Sequence, residues 1–369
     1  MRPILLLGGS GVFGARIARL LARSPAAELL LGGRRLAPAQ ALAEELRQAG
    51  APARAIALER SALSEILRRE QPRLIIDASG PFQEQGYDVA RAAIAAGASY
   101  IDIADGRAFV TGIRALDGEA RAAGVSVISG ASSVPCLSSA AAETLADGLD
   151  KVTALRAWIS PGNRAPRGLS VVRAILGGAG RKFAWRRDGA WRGVHGWQDL
   201  QRVSLPELGP RWISACDIPD LDLFPERWPE LDDAVFHAGL ELGFLHLGLW
   251  AMSWTVRLRL VKSLAPFAGA ALAIANLCER FGTDRGAMRV EVAGMALDRR
   301  VSRAWTLIAG SGDGPWVPAA PAAALARRML SDDPPTPGAR SAFDALPLAA
   351  ILAELRPFDI ITREERPHG

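Results

Sequence analysis

The chain opens with ILLLGGSGVFGARIARLL, where an apolar run, a glycine-rich turn and an amphipathic run follow one another without a spacer. No other stretch restricts the fold as much. Ile4–Leu7 is long enough only for a strand, and Val12–Leu21 has apolar residues at 13, 17, 20 and 21, a helical spacing closed by Ser24-Pro25. Between them Gly9-x-Gly11-x-x-Gly14 completes a G-x-G-x-x-G pattern in the strand–turn–helix setting that gives the pattern meaning. There Gly9 permits the tight turn, Gly11 lets the backbone approach a pyrophosphate, and Gly14 lets helix and sheet pack closely. The helix start adds unpaired N–H groups and a partial positive charge.

The next hundred residues keep the same alternation. Glu28–Leu31, Ala53–Leu58, Leu74–Ala78, Tyr100–Ala104 and Val125–Ser129 are predicted strands; Ala39–Gln48, Val89–Ala96 and Ile113–Ala123 are predicted helices. Such alternation predicts an α/β fold, a Rossmann-type doubly wound parallel sheet with helices on both faces. The second strand then selects the ligand. An acid about twenty residues past the glycines would hydrogen-bond the ribose 2′-hydroxyl of NAD, but this strand runs into Gly32-Gly33-Arg34-Arg35. Guanidinium groups match phosphate bidentately, so Arg34 and Arg35 predict NADP(H) in preference to NAD(H).

Open sheets bind ligands at the carboxyl ends of their strands. That places Asp77-Ala78-Ser79-Gly80-Pro81-Phe82, the pair Asp102 and Asp105, and Ser129-Gly130-Ala131-Ser132-Ser133-Val134-Pro135-Cys136 around the crevice. Ser132 or Ser133 is expected to cap a helix with Pro135 in its first turn. A proton donor is sought among Asp105, Asp102, Tyr87 and Cys136. A carboxylic acid serves only if burial raises its pKa, and each of the four also has an ordinary structural role open to it.

GGSGVFG, ASGPFQEQGYDVARAAIAAGASYIDIADG and SGASSVPCLSSA together resemble the saccharopine dehydrogenase-like oxidoreductases, in the broad sense of proteins with that NADP-binding domain. The resemblance is specific over residues 1–145 and continues more weakly in GDGPWVP and DDPPTPG. It implies a Rossmann domain over 1–132 completed by residues 318–369, an inserted α+β substrate or dimerisation domain over 133–317, and a homodimer. It also implies that Gly9, Ser10, Gly11, Val12, Phe13 and Gly14 line the pyrophosphate, Arg34 and Arg35 the adenosine ribose, and Ser79, Gly80 and Pro81 the nicotinamide side. Glu59-Arg60-Ser61 departs from the family pattern, which has an Asp near the adenine.

The second half differs in character. All ten tryptophans lie between Trp158 and Trp316, which suggests a sizeable apolar or aromatic substrate, or simply a tryptophan-rich core. Residues 154–160 read as a strand, and Ala287–Leu297 with Val301–Ala309 as a hairpin. AVFHAGLELGFLHLGLWAMSW and SLAPFAGAALAIANLC read as buried helices rather than spans, because neither has eighteen uninterrupted apolar residues. They are expected in a dimer interface or around an apolar pocket, with membrane-surface contact as the alternative. His237 and Glu241, four apart, are expected to share a helix face.

Other classes are set aside. The net charge is +5, but the arginines are scattered without a basic run, so no nucleic-acid footprint forms. Cys136, Cys216 and Cys278 give neither a metal spacing nor a disulfide set, and four apolar residues after Met1-Arg2-Pro3 are too few for a signal peptide, which points to the cytoplasm. The Tyr-x-x-x-Lys pair of short-chain dehydrogenases is absent. The sequence therefore predicts an NADP(H)-dependent oxidoreductase moving hydride to or from a C=O, C=N or activated C=C bond, in which the cofactor carries the hard step. The alternative is a non-catalytic NADP(H)-binding redox sensor or regulator.

Overall fold

The computed structural model describes residues 2–25, 27–83 and 85–366. Met1 and residues 367–369, the outer ends of the predicted first domain, and Glu84 in its G-P-F segment lie outside the described residues. The chain divides into two compact units, residues 1–137 with 315–355 and residues 138–314 with 356–369.

In the first unit six strands alternate with helices, as the sequence predicts: β1 (Ile4–Leu7), β2 (Leu29–Gly33), β3 (Ala53–Ala57), β4 (Leu74–Asp77), β5 (Ser99–Asp102) and β6 (Ser126–Ser129). The helices between them are α1 (Val12–Ala22), α2 (Leu36–Gln48), α3 (Leu63–Glu70), α4 (Asp88–Ala95), α5 (Arg107–Gly112) and α6 (Asp117–Ala122). The predicted helix over Ile113–Ala123 is in fact a 3₁₀ turn, Ile113–Leu116, followed by α6. All sheet pairings are parallel, in the order β3-β2-β1-β4-β5-β6. Every residue of β1, β4 and β6 is buried, as parallel strands covered on both faces require. The strand order reverses between β1 and β4, the switch point where such sheets open a crevice.

The second unit begins at α7 (Ser138–Ala146). Its strands are β7 (Lys151–Ser160), β8 (Lys182–Arg187), β9 (Ala190–His195), β10 (Gln201–Leu205), β11 (Gly209–Ala215), β12 (Asp233–Ala238), β13 (Gly286–Ala296) and β14 (Arg299–Ala309). Helices α8 (Leu169–Gly178), α9 (Asp220–Arg227), α10 (Gly243–Arg257) and α11 (Ala268–Leu277) accompany them. The sheet is mixed: β12 runs parallel to β7, and its other pairings are antiparallel. The predicted hairpin is β13–β14, closed by Leu297 and Asp298 at φ 49° and 61°. A two-residue loop with both residues left-handed is the turn that matches strand twist.

After the second unit's main body, α12 (Ala320–Leu330), a seventh strand β15 (Gly338–Ser341) and α13 (Leu348–Leu355) complete the first unit, β15 extending the parallel sheet beside β6. The predicted domain line needs correction at both joins. Residues 133–137 stay with the first unit. The last strand, β16 (Ile360–Glu365), pairs antiparallel with β14 and so belongs to the second unit, not the first.

The expected helix start at Ser132–Pro135 is also corrected. Val134 is extended, at φ −128° and ψ 132°, and the regular helix begins at Ser138. The two buried helices predicted over 234–278 resolve into a strand and two helices. Residues Asp233–Ala238 form β12, buried beside β7. α10 buries only His246, Leu249 and Ser253, and α11 only Ala268. Among the described residues no helix is long and apolar enough to cross a membrane. His237 therefore lies on a strand and Glu241 in the loop after it, and they share no helix face. His237 Nε2 meets Asp199 Oδ2 at 3.0 Å, whereas Glu241 pairs with Arg211 at 3.2 Å and accepts from Thr283.

Candidate functional site

The first unit's site is built by backbone proximity. Gly8 takes φ +70°, and a Cβ there would stand 2.9 Å from the Ala78 carbonyl oxygen. One on Gly9 would press 3.1 Å from Leu6 O, and one on Gly14 would overlap the Gly8 carbonyl oxygen. The loop is thus clamped against the ends of β1 and β4. Hydrogen bonds fix it, from Gly9 N–H to Gly32 O at 3.1 Å and from Gly11 N–H to Gly8 O at 2.8 Å. Helix α1 leaves Gly11 with no side-chain cap and no acid in its first turn. Its first N–H groups and the positive end of its dipole therefore point out of the loop without a built-in anion. These are the properties an approaching pyrophosphate needs, so the residues fit a dinucleotide.

The end of β2 stands next to this loop. A Cβ on Gly33 would lie 3.6 Å from the Ser10 hydroxyl, which places Ser10 beside the strand from which Arg34 and Arg35 emerge. Both arginines are exposed, and neither makes a hydrogen bond or ion pair with another described residue. No acid occupies the strand end.

A third cation reaches the crevice from a place the sequence does not advertise. Arg60 follows β3, yet its guanidinium donates to Ser79 Oγ at 3.2 Å and Gln85 Oε1 at 2.5 Å, in the loop after β4. It also lies 4.0 Å from the Asp77 carboxylate. Its side chain thus reaches from the end of β3 to the loop after β4.

The expected proton donors separate in the structure. Asp102 is fully buried, and its Oδ1 accepts from Ala104 N–H, Ser129 Oγ and Gly130 N–H at 3.0, 2.9 and 2.8 Å. Burial raises its pKa to about 7 against those bonds, and Asp77, its register partner on β4, adds like charge. Asp102 is thus engaged in tying β5 to the turn after β6. The Tyr87 hydroxyl donates to Phe109 O at 2.8 Å and packs on Phe109, so it anchors α5. Cys136 is 1% exposed. Asp105 is the most exposed of the four, and its Oδ1 accepts from Gln83 at 2.8 Å. Packing around its carboxyl acts to raise the pKa by desolvation, but the exposed face limits that effect. Ser79, Gly80 and Pro81 are half-buried, with Ser79 donating to Asp77 Oδ1. Gln83 and Gln85 join this wall, and they were not singled out from sequence because their partners are twenty or more residues away.

The tryptophans divide. Trp158, Trp185, Trp197 and Trp305 are buried as core, while Trp316 lies in the first unit under the Arg16 guanidinium.

A parallel sheet reversing at β1 and β4, with a glycine loop feeding an uncapped helix at that point, defines a dinucleotide-binding Rossmann domain of the dehydrogenase type. Residues 4–128 match the family model of the Saccharopine dehydrogenase NADP binding domain. The match covers 125 of the 369 residues, all within the first unit. The fold is similar to that of apo saccharopine dehydrogenase (L-Glu forming) from Saccharomyces cerevisiae, at 17% identity and a TM-score of 0.70, covering 100% of both chains. It is also similar to homospermidine synthase from Legionella pneumophila, solved in complex with NAD, at 11% identity and a TM-score of 0.62, covering 99% of this chain and 91% of that one. A sequence search of curated proteins finds no match.

Proposed function

We propose that this chain is an NADP(H)-dependent oxidoreductase that moves hydride to or from a C=O, C=N or activated C=C bond of a small molecule. The observation that carries the reading is the pairing of an uncapped α1 N-terminus with two arginines at the end of β2 that have no other described partner. When bound, the nicotinamide supplies or accepts the hydride. Gly9–Gly14 would hold the pyrophosphate through backbone N–H groups, Ser10 with Arg34 and Arg35 the 2′-phosphate, and Ser79–Pro81 the nicotinamide side. Arg60, reaching over from β3, would add positive charge between the two ends. Asp105 is the carboxyl best exposed to exchange a proton with substrate, and Gln83 would orient it.

A second reading is favoured by one observation: Asp102, Tyr87 and Cys136 are all buried or committed to backbone anchoring. On that reading the domain binds NADP(H) and senses redox state without catalysis. The test is NADPH absorbance in the presence of a panel of ketones, imines and enoyl compounds. Substrate-dependent loss that falls in Asp105→Asn supports the enzyme. Tight nucleotide binding with no turnover across the panel supports the sensor.

A further inference from the structure

Residues 242–278 contain no acid and three cations, Arg257, Arg259 and Lys262, within a run of otherwise apolar and small residues. Helices α8, α10 and α11 share a small core around Leu176, Trp197, Leu249 and Leu264. That core uses one side of α10 and little of α11. The remainder stands in water: Phe244 and Met252 on α10 are 57% and 46% exposed, and Ile274 and Leu277 on α11 are 53% and 77% exposed. The connection between the helices, Arg257-Leu258-Arg259-Leu260-Val261-Lys262, alternates cation and aliphatic, with Leu258 63% and Leu260 73% exposed. Single exposed leucines are ordinary, whereas a contiguous apolar surface marks a binding face.

Charge decides between occupants. A second copy meeting this face across a two-fold axis would lay one cationic patch against another, with no acid within residues 242–278 to pair with it. An anionic lipid surface answers both features at once: acyl chains accept the leucines and headgroups attract the cations. α10, at fifteen residues, is too short to span a bilayer, so the contact is with the surface. We propose that the α10–α11 face docks on anionic membrane surfaces, with Leu258 and Leu260 entering the interface and Arg259 and Lys262 on the headgroups. This inference is independent of the cofactor reading, because the residues it uses belong to the second unit.

The full chain is sedimented with vesicles of phosphatidylcholine alone and of phosphatidylcholine with about three parts in ten phosphatidylglycerol. The expected result is recovery with the anionic vesicles only. Leu258→Ser/Leu260→Ser lowers the partition about a hundredfold. Arg259→Gln/Lys262→Gln lowers it about thirtyfold at low salt. All four side chains already stand in water or at its edge, so unchanged melting curves keep the variants interpretable. Three results overturn the proposal: no recovery with anionic vesicles, equal recovery with neutral ones, or a solution dimer that the leucine substitutions dissociate while vesicle binding is absent.

Discussion

The glycine loop at residues 8–14 and the stretch 243–281 draw on the same kinds of residue, small and apolar, and use them in opposite ways. In the loop, glycines are where they are because backbone atoms lie too close for any side chain. In α10 and α11, Gly248 and Gly269 would have nothing within 4 Å of a Cβ, and large aliphatics are exposed among them. Composition alone would give both stretches the same environment. What separates them is whether other backbone crowds in, which is a long-range property of the fold.

Substitutions can break this comparison. Leu30 on β2 is fully buried in the core of the first unit. Leu30→Ala should cost about 4 kcal/mol, whereas Leu260→Ala should stay within about 0.5 kcal/mol; denaturant titration reads both. An equal cost at the two positions would mean that residue 260 is covered. Gly14→Ala comes next, at about 3 kcal/mol, because its Cβ meets a backbone carbonyl held on both sides. Nucleotide binding should be lost along with that stability.

Each unit also carries one buried carboxyl whose pKa burial raises to about 7, Asp102 in the first and Asp220 in the second. The folded chain holds these protons more tightly than the unfolded chain does. Their contribution is therefore complete below the unfolded carboxylate pKa and is lost as pH rises through about 7. Between pH 5.5 and 7 the Asp102 linkage should remove about 2 kcal/mol. Asp102→Asn keeps an oxygen for its three donors and should flatten this slope in the first unit while the Asp220 slope in the second remains. A slope unchanged by the substitution would assign the pH dependence elsewhere. The smallest effect has the opposite sign: Gly248 is a mid-helix glycine in α10 with nothing within 4 Å of a Cβ. Gly248→Ala should stabilise by about 0.8 kcal/mol, and a loss there would show that the α10 face is already packed.

The first unit was largely legible because its signals are local. β1, β4 and β6 are four-residue strands buried throughout, and Gly8–Gly14 announces a turn wherever it falls. The failures come from partners far away in sequence. β12 reads as helix because an apolar run buried on both faces has no period of its own; β7, about eighty residues earlier, makes it a strand. β16, in which only Ile360 and Ile361 precede the polar run Thr362-Arg363-Glu364-Glu365, carries too short an apolar signal to read as a strand and is recruited by β14 at the sheet edge. α11 has the composition of a buried helix and is exposed, since nothing in AGAALAIANL says what will cover it. In the site, Arg34 and Arg35 were legible from their distance to the glycines. Arg60 was not, because its partners Ser79 and Gln85 meet it only after β4 and β3 take their places on either side of β1 and β2.

The central claim is that the crevice above β1 and β2 holds a dinucleotide and that Arg34 and Arg35 choose which one. Calorimetric titration of the wild-type chain and Arg34→Ala/Arg35→Ala with NADPH and with NADH tests it directly. The account predicts that wild type favours NADPH and that the double substitution weakens NADPH about a hundredfold, from two lost charge-assisted contacts, while NADH is unchanged. Equal affinity of wild type for the two nucleotides, or binding of neither, would contradict it.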